Sequence, residues 1–292
     1  GFASLTTRLS FWILLAGGGV FAATIVTSNG LARQTALRAA EQEALWAAQA
    51  SAGRLQAVLR SVEGATGLLG GAVEALAPPP EALAGLQRRL ILSNEAVYGS
   101  AAAFEPRAYR PDRERYGAYT FRGAGTGDQL AQADLALDRY RYWERAWYTA
   151  PLAARRPSWS EPYVDEGGGG VAMVTYAVPV RRPGAARPFG VVTADVPLAT
   201  LSKMVSEVRV GRTGFAVVIS REGRVLAHPG IEGTFAPLLE QVPSERRALV
   251  APLVGKLLSG QAGFERFDMQ GRPTWITYAP VEASGWALLV VY

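Results

Sequence analysis

Cysteine is absent from the chain, and histidine occurs once, at His228. Without thiols there is no cysteine nucleophile, no thiolate metal site and no disulfide. A single imidazole argues against a histidine-based metal site and against a Ser-His-Asp triad. Lacking thiols suits an oxidising compartment, although cytosolic chains can lack them too. Dense Lys/Arg runs are also missing: the net charge of +5 comes from scattered arginines, so there is no nucleic-acid footprint. The glycine run Gly167 to Gly170 has no following Lys-Ser/Thr and opens no helix, so it is not a phosphate loop. A lid over a pocket suits it better, and no cofactor is expected.

Hydrophobic residues are plentiful, at 49% of 292 positions, enough for one large or two small domains. Part of that content is not core. Leu9 to Val26, LSFWILLAGGGVFAATIV, carries no charge. About 18–20 apolar residues cross a bilayer as a helix, whereas a secretory signal core runs to roughly 7–15. The reading is an uncleaved anchor over 9–28 after a cytoplasmic stub at 1–8, with a cleaved signal or a buried core helix as alternatives. Arg8 precedes the span while Arg33 and Arg38 follow it, so the visible charges leave its orientation open. The start at Gly1 and the end inside Trp286 to Tyr292 read as a segment of something longer.

Beyond Asn29-Gly30 the period becomes helical. Leu45, Ala48, Ala52, Leu55, Leu59, Val62, Thr66, Leu69, Val73 and Leu76 alternate by three and four, the spacing of an a/d seam. Pro78-Pro79-Pro80 stops the helix, because proline lacks an N–H and clashes with the preceding turn. A long helix over 29–80 is predicted, packing on its own domain, on a second protomer as a homodimer, or on both along different portions.

Glu81 to Leu92 reads as another helix. Then the period shortens, with strands at 97–105, 116–121, 171–180 and 189–196. Arg182-Pro183-Gly184 turns between the last two. A helix at 198–208 leads past Gly211-Arg212-Thr213-Gly214 to strands at 215–220 and 224–227, a helix near 244–258 and strands near 263–269, 274–280 and 286–292. Turns fall at Glu222-Gly223, Gln270 to Pro273 and Ala283 to Gly285. The fold class is α+β: a long helix, then two tandem PAS-like antiparallel modules at 81–208 and 209–292.

The chemistry-bearing residues concentrate in one stretch, Tyr140 to Tyr148, with Tyr163, Asp165 and Asp195 downstream. Arg145 offers a planar fork that matches a carboxylate, or it pairs with a local acid such as Glu144 or Glu161. Tyr140 and Trp147 can each donate one more hydrogen bond, or serve as core aromatics with polar tips. Tyr148 lines the same place. Asp195 stands in an apolar strand, where a buried carboxylate needs a partner; an ammonium would supply it, as would an internal arginine or a water-facing strand end. Asp165 and Tyr163 can complete an ammonium cage, or simply lead a solvated loop. A carboxylate at one end and an ammonium at the other is the pattern of a free amino acid. The geometric expectation is that Arg145 and Asp195 face each other across one hollow of zwitterion length. His228 before Pro229 reads as a turn residue.

From about residue 30 onward the chain resembles the double Cache sensor domains of bacterial transmembrane receptors. The carrying pieces are Trp147-Tyr148, WSEPYVDEGGG at 159–169, TYAVPV at 175–180, GVVTADV at 190–196, GRTGFA at 211–216 and His228-Pro229. One subset of that family, the amino-acid receptors, is similar in the order Tyr140, Arg145, Trp147, Tyr148, Tyr163, Asp165, Asp195. The run at 159–180 is also similar to Cache domains that precede serine phosphatases and nucleotide cyclases. The resemblance implies a non-enzymatic extracytoplasmic (periplasmic) region on the inner membrane. It places the ligand-binding module at 81–208 distal to the membrane, the module at 209–292 proximal, and an output domain beyond. Competing readings are a sensor for an amine or other small organic ligand, a ligand-free dimerisation module, and a hydrolase using Asp165 with Glu166 or Asp195 as paired acids.

Overall fold

The computed structural model describes residues 5–123, 129–137, 139–208, 214–230, 235–268 and 273–292. It divides into two compact units, Gly1–Trp46 and Ala47–Tyr292. The expected turns at Gly211 to Thr213 and Gln270 to Arg272 lie outside the described residues.

Helix α1 spans Leu5–Leu76. Asn29-Gly30 does not break it, and it holds no proline. Hydroxyls of Thr24, Thr35 and Thr66 bond back to the carbonyls four residues earlier, which satisfies them within the helix. In the first unit Leu14, Leu15, Val20, Phe21, Ile25 and Val26 are exposed, and the helix is long and apolar enough there to cross a membrane. The helix ends where Ala77 takes a left-handed turn at φ 40° ahead of the three prolines.

In the second unit the three-four seam becomes core: Ala48, Ala52, Leu55, Leu59, Val62, Thr66, Leu69 and Val73 are all buried. Leu76 departs from that pattern and is exposed, because the helix outruns its support there. Helix α2 (Pro80–Leu92) follows, with Leu83, Leu90 and Ile91 buried.

The first sheet contains β1 (Gly99–Phe104), β2 (Tyr116–Arg122), β3 (Leu130–Asp134), β4 (Ser158–Trp159), β5 (Tyr163–Val164), β6 (Ala172–Arg181) and β7 (Pro188–Pro197). Its order is β3-β2-β1-β7-β6-β4, with β5 also on β6, and every pairing is antiparallel. Helix α3 (Ala146–Ala154) lies between β3 and β4 in the chain, and α4 (Leu198–Ser206) follows β7. The second sheet contains β8 (Phe215–Ile219), β9 (Val225–Ala227), β10 (Gly263–Asp268), β11 (Pro273–Val281) and β12 (Trp286–Val291), in the order β10-β11-β12-β8-β9. Helices α5 (Leu238–Gln241) and α6 (Ser244–Leu258) separate β9 from β10.

Alternation along the strands divides the first sheet into two faces. Val192, Ala194 and Val196 of β7, with Val174, Val178 and Val180 of β6, join the core that includes α1. The opposite face presents Ala101, Ala103, Ala177 and Val191 to Tyr119, Leu135, Tyr140, Tyr142, Trp147 and Tyr148. Gly70 lets α1 lie close on the first face: a Cβ there would stand 3.1 Å from Val178 Cγ1. The candidate site occupies the second face.

Candidate functional site

Asp195 is the eighth residue of β7 and faces the aromatic side of the sheet. Its register partners are Gly99 on β1 and Thr175 on β6, so it sits in the middle of the sheet and is only 3% exposed. Thr175 Oγ1 donates to Asp195 Oδ1 at 2.8 Å. That uses the only hydroxyl proton of Thr175, so Tyr163, whose hydroxyl lies 2.7 Å from Thr175 Oγ1, donates to it in turn. Tyr119 covers the position, and its hydroxyl is buried without a directed hydrogen bond. Gly99 is required beneath it, because a Cβ at 99 would meet Tyr119 Oη at 2.3 Å.

Asp165 follows β5 and is also 3% exposed. Its Oδ1 accepts from Tyr140 Oη at 3.1 Å and from the Gly167 N–H at 3.0 Å. Its Oδ2 is buried without a partner. Trp147 Nε1 donates to Tyr140 Oη at 3.0 Å, which leaves that hydroxyl's proton for Asp165. The glycine loop folds down over the pair. Tyr98 Oη donates to Gly168 O at 3.1 Å, and the Gly170 N–H returns to Asp165 O at 2.9 Å. Gly168 lies directly on Tyr119.

Electrostatics follow from this burial. Asp195 is pushed up to about 7, first by burial and then by the charge of Asp165. Burial also raises Asp165, opposed by the Gly167 N–H and the Tyr140 hydroxyl. The Tyr119 and Tyr163 phenols are raised well above their ordinary value by burial and by the two acids, so they stay protonated. Among the described residues no ion pair reaches either carboxylate.

Arg145 stands at the rim. Its Nε donates to Tyr140 O at 3.0 Å, and its guanidinium lies 4.8 Å from the Tyr140 ring centroid. Nη2 pairs with Glu166 Oε2 at 2.9 Å, and the Arg145 side chain remains 38% exposed. The expected single hollow between Arg145 and Asp195 is therefore corrected. Asp195 is sealed under Tyr119, Arg145 is half open to solvent, and Tyr140 with Asp165 links the two. Neither acid suggested as a local partner holds Arg145: Glu144 pairs with Arg141, and Glu161 lies with Ser220 and Arg221.

Thus Tyr140, Arg145, Trp147, Tyr163, Asp165 and Asp195 come together. Tyr148 does not bring its hydroxyl to the cluster: it donates to Glu105 Oε1 at 2.7 Å, and its ring packs edge-on against Trp147. Tyr98, Tyr119 and Thr175 join the site without being singled out beforehand, and Glu166, considered only as a paired acid of a hydrolase, joins it as the partner of Arg145. Thr175 was visible only as part of a motif, and nothing local marked Tyr119, which arrives from a non-neighbouring strand. His228 caps its own turn, accepting the Gly230 N–H on Nδ1 at 3.0 Å.

Residues 85–203 match the family described as methyl-accepting chemotaxis protein-like, first PDC sensor domain. That stretch is similar to the PDC sensor domains of chemoreceptors. Its relatives include the methyl-accepting chemotaxis protein PctB of Pseudomonas aeruginosa, 28% identical over 166 residues. The match covers 56% of this chain and 24% of PctB, so it spans about a quarter of that relative's length. Among solved structures, the extracellular domain soHK1S-Z6, assigned to a histidine kinase, is 27% identical at TM-score 0.70, over 90% of this chain and 96% of that one. The ligand-binding domain of the Pseudomonas fluorescens chemoreceptor CtaA, solved with L-isoleucine, superposes at TM-score 0.62 with 19% identity, over 89% and 94%. The matched stretch holds the whole cluster described above.

Proposed function

We propose that the chain is the sensor region of a bacterial transmembrane signalling receptor and that its PDC domain binds a free amino acid. The observation that carries this reading is the pair of buried carboxylates, Asp165 and Asp195, inside a cage of phenols and, among the described residues, without a salt bridge. Two buried acids with raised pKa call for a cation: once Tyr119 and the glycine loop shift to admit it, a ligand ammonium donates to carboxylate oxygens that the hydroxyls already hold in place, Asp165 Oδ2 being without a partner. Arg145 at the rim takes the ligand carboxylate, with Tyr140 and Trp147 between the two ends. The amino-acid ligand of CtaA supports the same class here.

In this reading residues 9–28 cross the inner membrane, 29–80 carry the signal, 81–208 bind ligand and 209–292 form the second module, with 29–292 extracytoplasmic. The region binds and releases its ligand without making or breaking a bond. A homodimer paired along α1 would carry the change across the bilayer. Ligand shifts the equilibrium only by its difference in affinity for two states.

A second reading, an amine without a carboxylate, is favoured by Arg145 being already held by Glu166. Calorimetry against the common amino acids and their decarboxylated amines decides between them. The amino-acid reading expects roughly micromolar binding, about −8 kcal/mol, that Arg145→Ala weakens by about 2–4 kcal/mol because a ligand carboxylate loses its partner. Amine binding unmoved by Arg145→Ala favours the second reading. Absence of binding by either class sinks both.

A further inference from the structure

The glycine loop holds two acids side by side with opposite surroundings. Asp165 points down into the phenol cage, while Glu166 points outward to the rim, 68% exposed along its side chain. Its place is not free to wander. The residue before it is fixed by Tyr140 and by the Gly167 N–H, and the loop after it is fixed by Tyr98 on Gly168 O. Glu166 is thereby set against the guanidinium of Arg145.

The donors of Arg145 can be followed one by one. Nε is taken by Tyr140 O, and one Nη2 hydrogen is taken by Glu166. A carboxylate arriving from a ligand meets a guanidinium with part of its fork already engaged. The engagement is weak, since an exposed ion pair contributes at most about 1 kcal/mol. It is weak enough to yield, yet its charge remains nearby after it yields.

We propose that Glu166 is a specificity-determining residue of this site: it holds the Arg145 fork that a ligand carboxylate must take, and its charge turns away ligands with an acidic side chain. The proposal rests on the amino-acid reading. Asp165, Asp195 and Glu166 bring three acidic side chains to the cluster, and among the described residues Arg145 is the one cation that pairs with any of them. A zwitterion with a neutral or basic side chain adds no further anion. Aspartate or glutamate adds one where like charges are already unbalanced, and like-charge juxtaposition is the usual means of rejecting a wrong partner.

The test is isothermal titration of the whole chain in nanodiscs with matched amide and acid pairs, L-glutamine against L-glutamate and L-asparagine against L-aspartate. The wild type is expected to bind the amide at least tenfold more tightly than the acid. Glu166→Gln keeps the shape and removes the charge. It is expected to tighten amide binding about two- to fivefold and to narrow the amide-to-acid ratio at least threefold. Glu144→Gln, which frees only Arg141, is expected to change neither. An amide-to-acid ratio unchanged in Glu166→Gln, while amino-acid binding persists, overturns the proposal. A wild type that prefers the acids overturns it as well. A wild type that binds amines but no amino acid removes the reading beneath it, a different result from an unmoved ratio.

Discussion

Asp195 has Gly99 on one side, Thr175 on the other and the Tyr119 ring above, and this surrounding decides its protonation. Its carboxyl is raised to about 7 from an ordinary 3.8, chiefly by burial. A group raised in the folded state stabilises the fold below its unfolded pKa and loses that contribution as pH climbs through its folded value. The ligand-free protein should therefore weaken between about pH 4 and pH 7 on this account, and Asp195→Asn should be the more stable protein at pH 8, by about 2 kcal/mol. Urea denaturation at pH 5 and pH 8 checks this, and a variant less stable at pH 8 contradicts it. An ammonium favours the charged acid, so binding should expel a proton and tighten as pH rises from 5 to 8. Calorimetry in buffers of different ionisation enthalpy reads that proton directly. Asp195 was legible in the sequence as a charge in an apolar strand. Tyr119 was not, since strand order across the sheet decides what covers position 195. The partner of Arg145 was missed for a similar reason: Glu144 and Glu161 are nearer in the chain, but the folded glycine loop presents Glu166.

The glycine loop behaves as a fitted strap. A Cβ at Gly168 would stand 2.2 Å from Tyr119 Cε1 and 3.1 Å from Asp165 Oδ2. Gly168→Ala must lift the loop, shift Tyr119 or both. It should reduce ligand affinity at least tenfold while leaving the far-ultraviolet circular dichroism unchanged, because the loop bears no core side chain. Unaltered affinity would show that the strap is slack. Helix α1 is the opposite case, a core element along its second-unit seam. Leu59 is fully buried, and Leu59→Ala should cost about 3 kcal/mol through lost transfer energy and the cavity left behind, as chemical denaturation would show. The seam and the long strands were readable because apolar spacing states the period directly. Helix α3 was not: Pro151 and its run of aromatics hide a three-four pattern. Strand β3, LAQAD, has no β-branched residue to mark it.

Across the larger unit, Trp159 joins three parts. Its Nε1 donates to Glu63 Oε1 of α1 at 2.8 Å, and its ring stands 5.3 Å from Trp286 of the second sheet. Its carbonyl accepts from Arg221 Nη2 at 2.7 Å. With Trp147, Glu161 and Arg221 it lines a cleft of about 460 Å³ whose Trp147 wall is the back of the binding cluster. Trp147 and Trp159 line the same cleft, and Trp159 contacts both α1 and the second sheet, so in the proposed reading it is the residue through which a ligand would be felt there. Trp159→Phe should leave affinity within about twofold yet abolish any ligand-dependent slowing of amide exchange in β8 and β9. Exchange that still responds in the variant would place the connection elsewhere. None of this junction was legible beforehand, because the contacts join positions 63, 159, 221 and 286 and no local pattern links them.

Gly70 places bare helix backbone against the valines behind the strands that carry Thr175 and Asp195. With no side chain as cushion, a change in sheet twist at the acids has almost no slack to consume before it displaces the helix. Position 70 is thus a bearing surface, and a single methyl group there would act as a shim between helix and sheet.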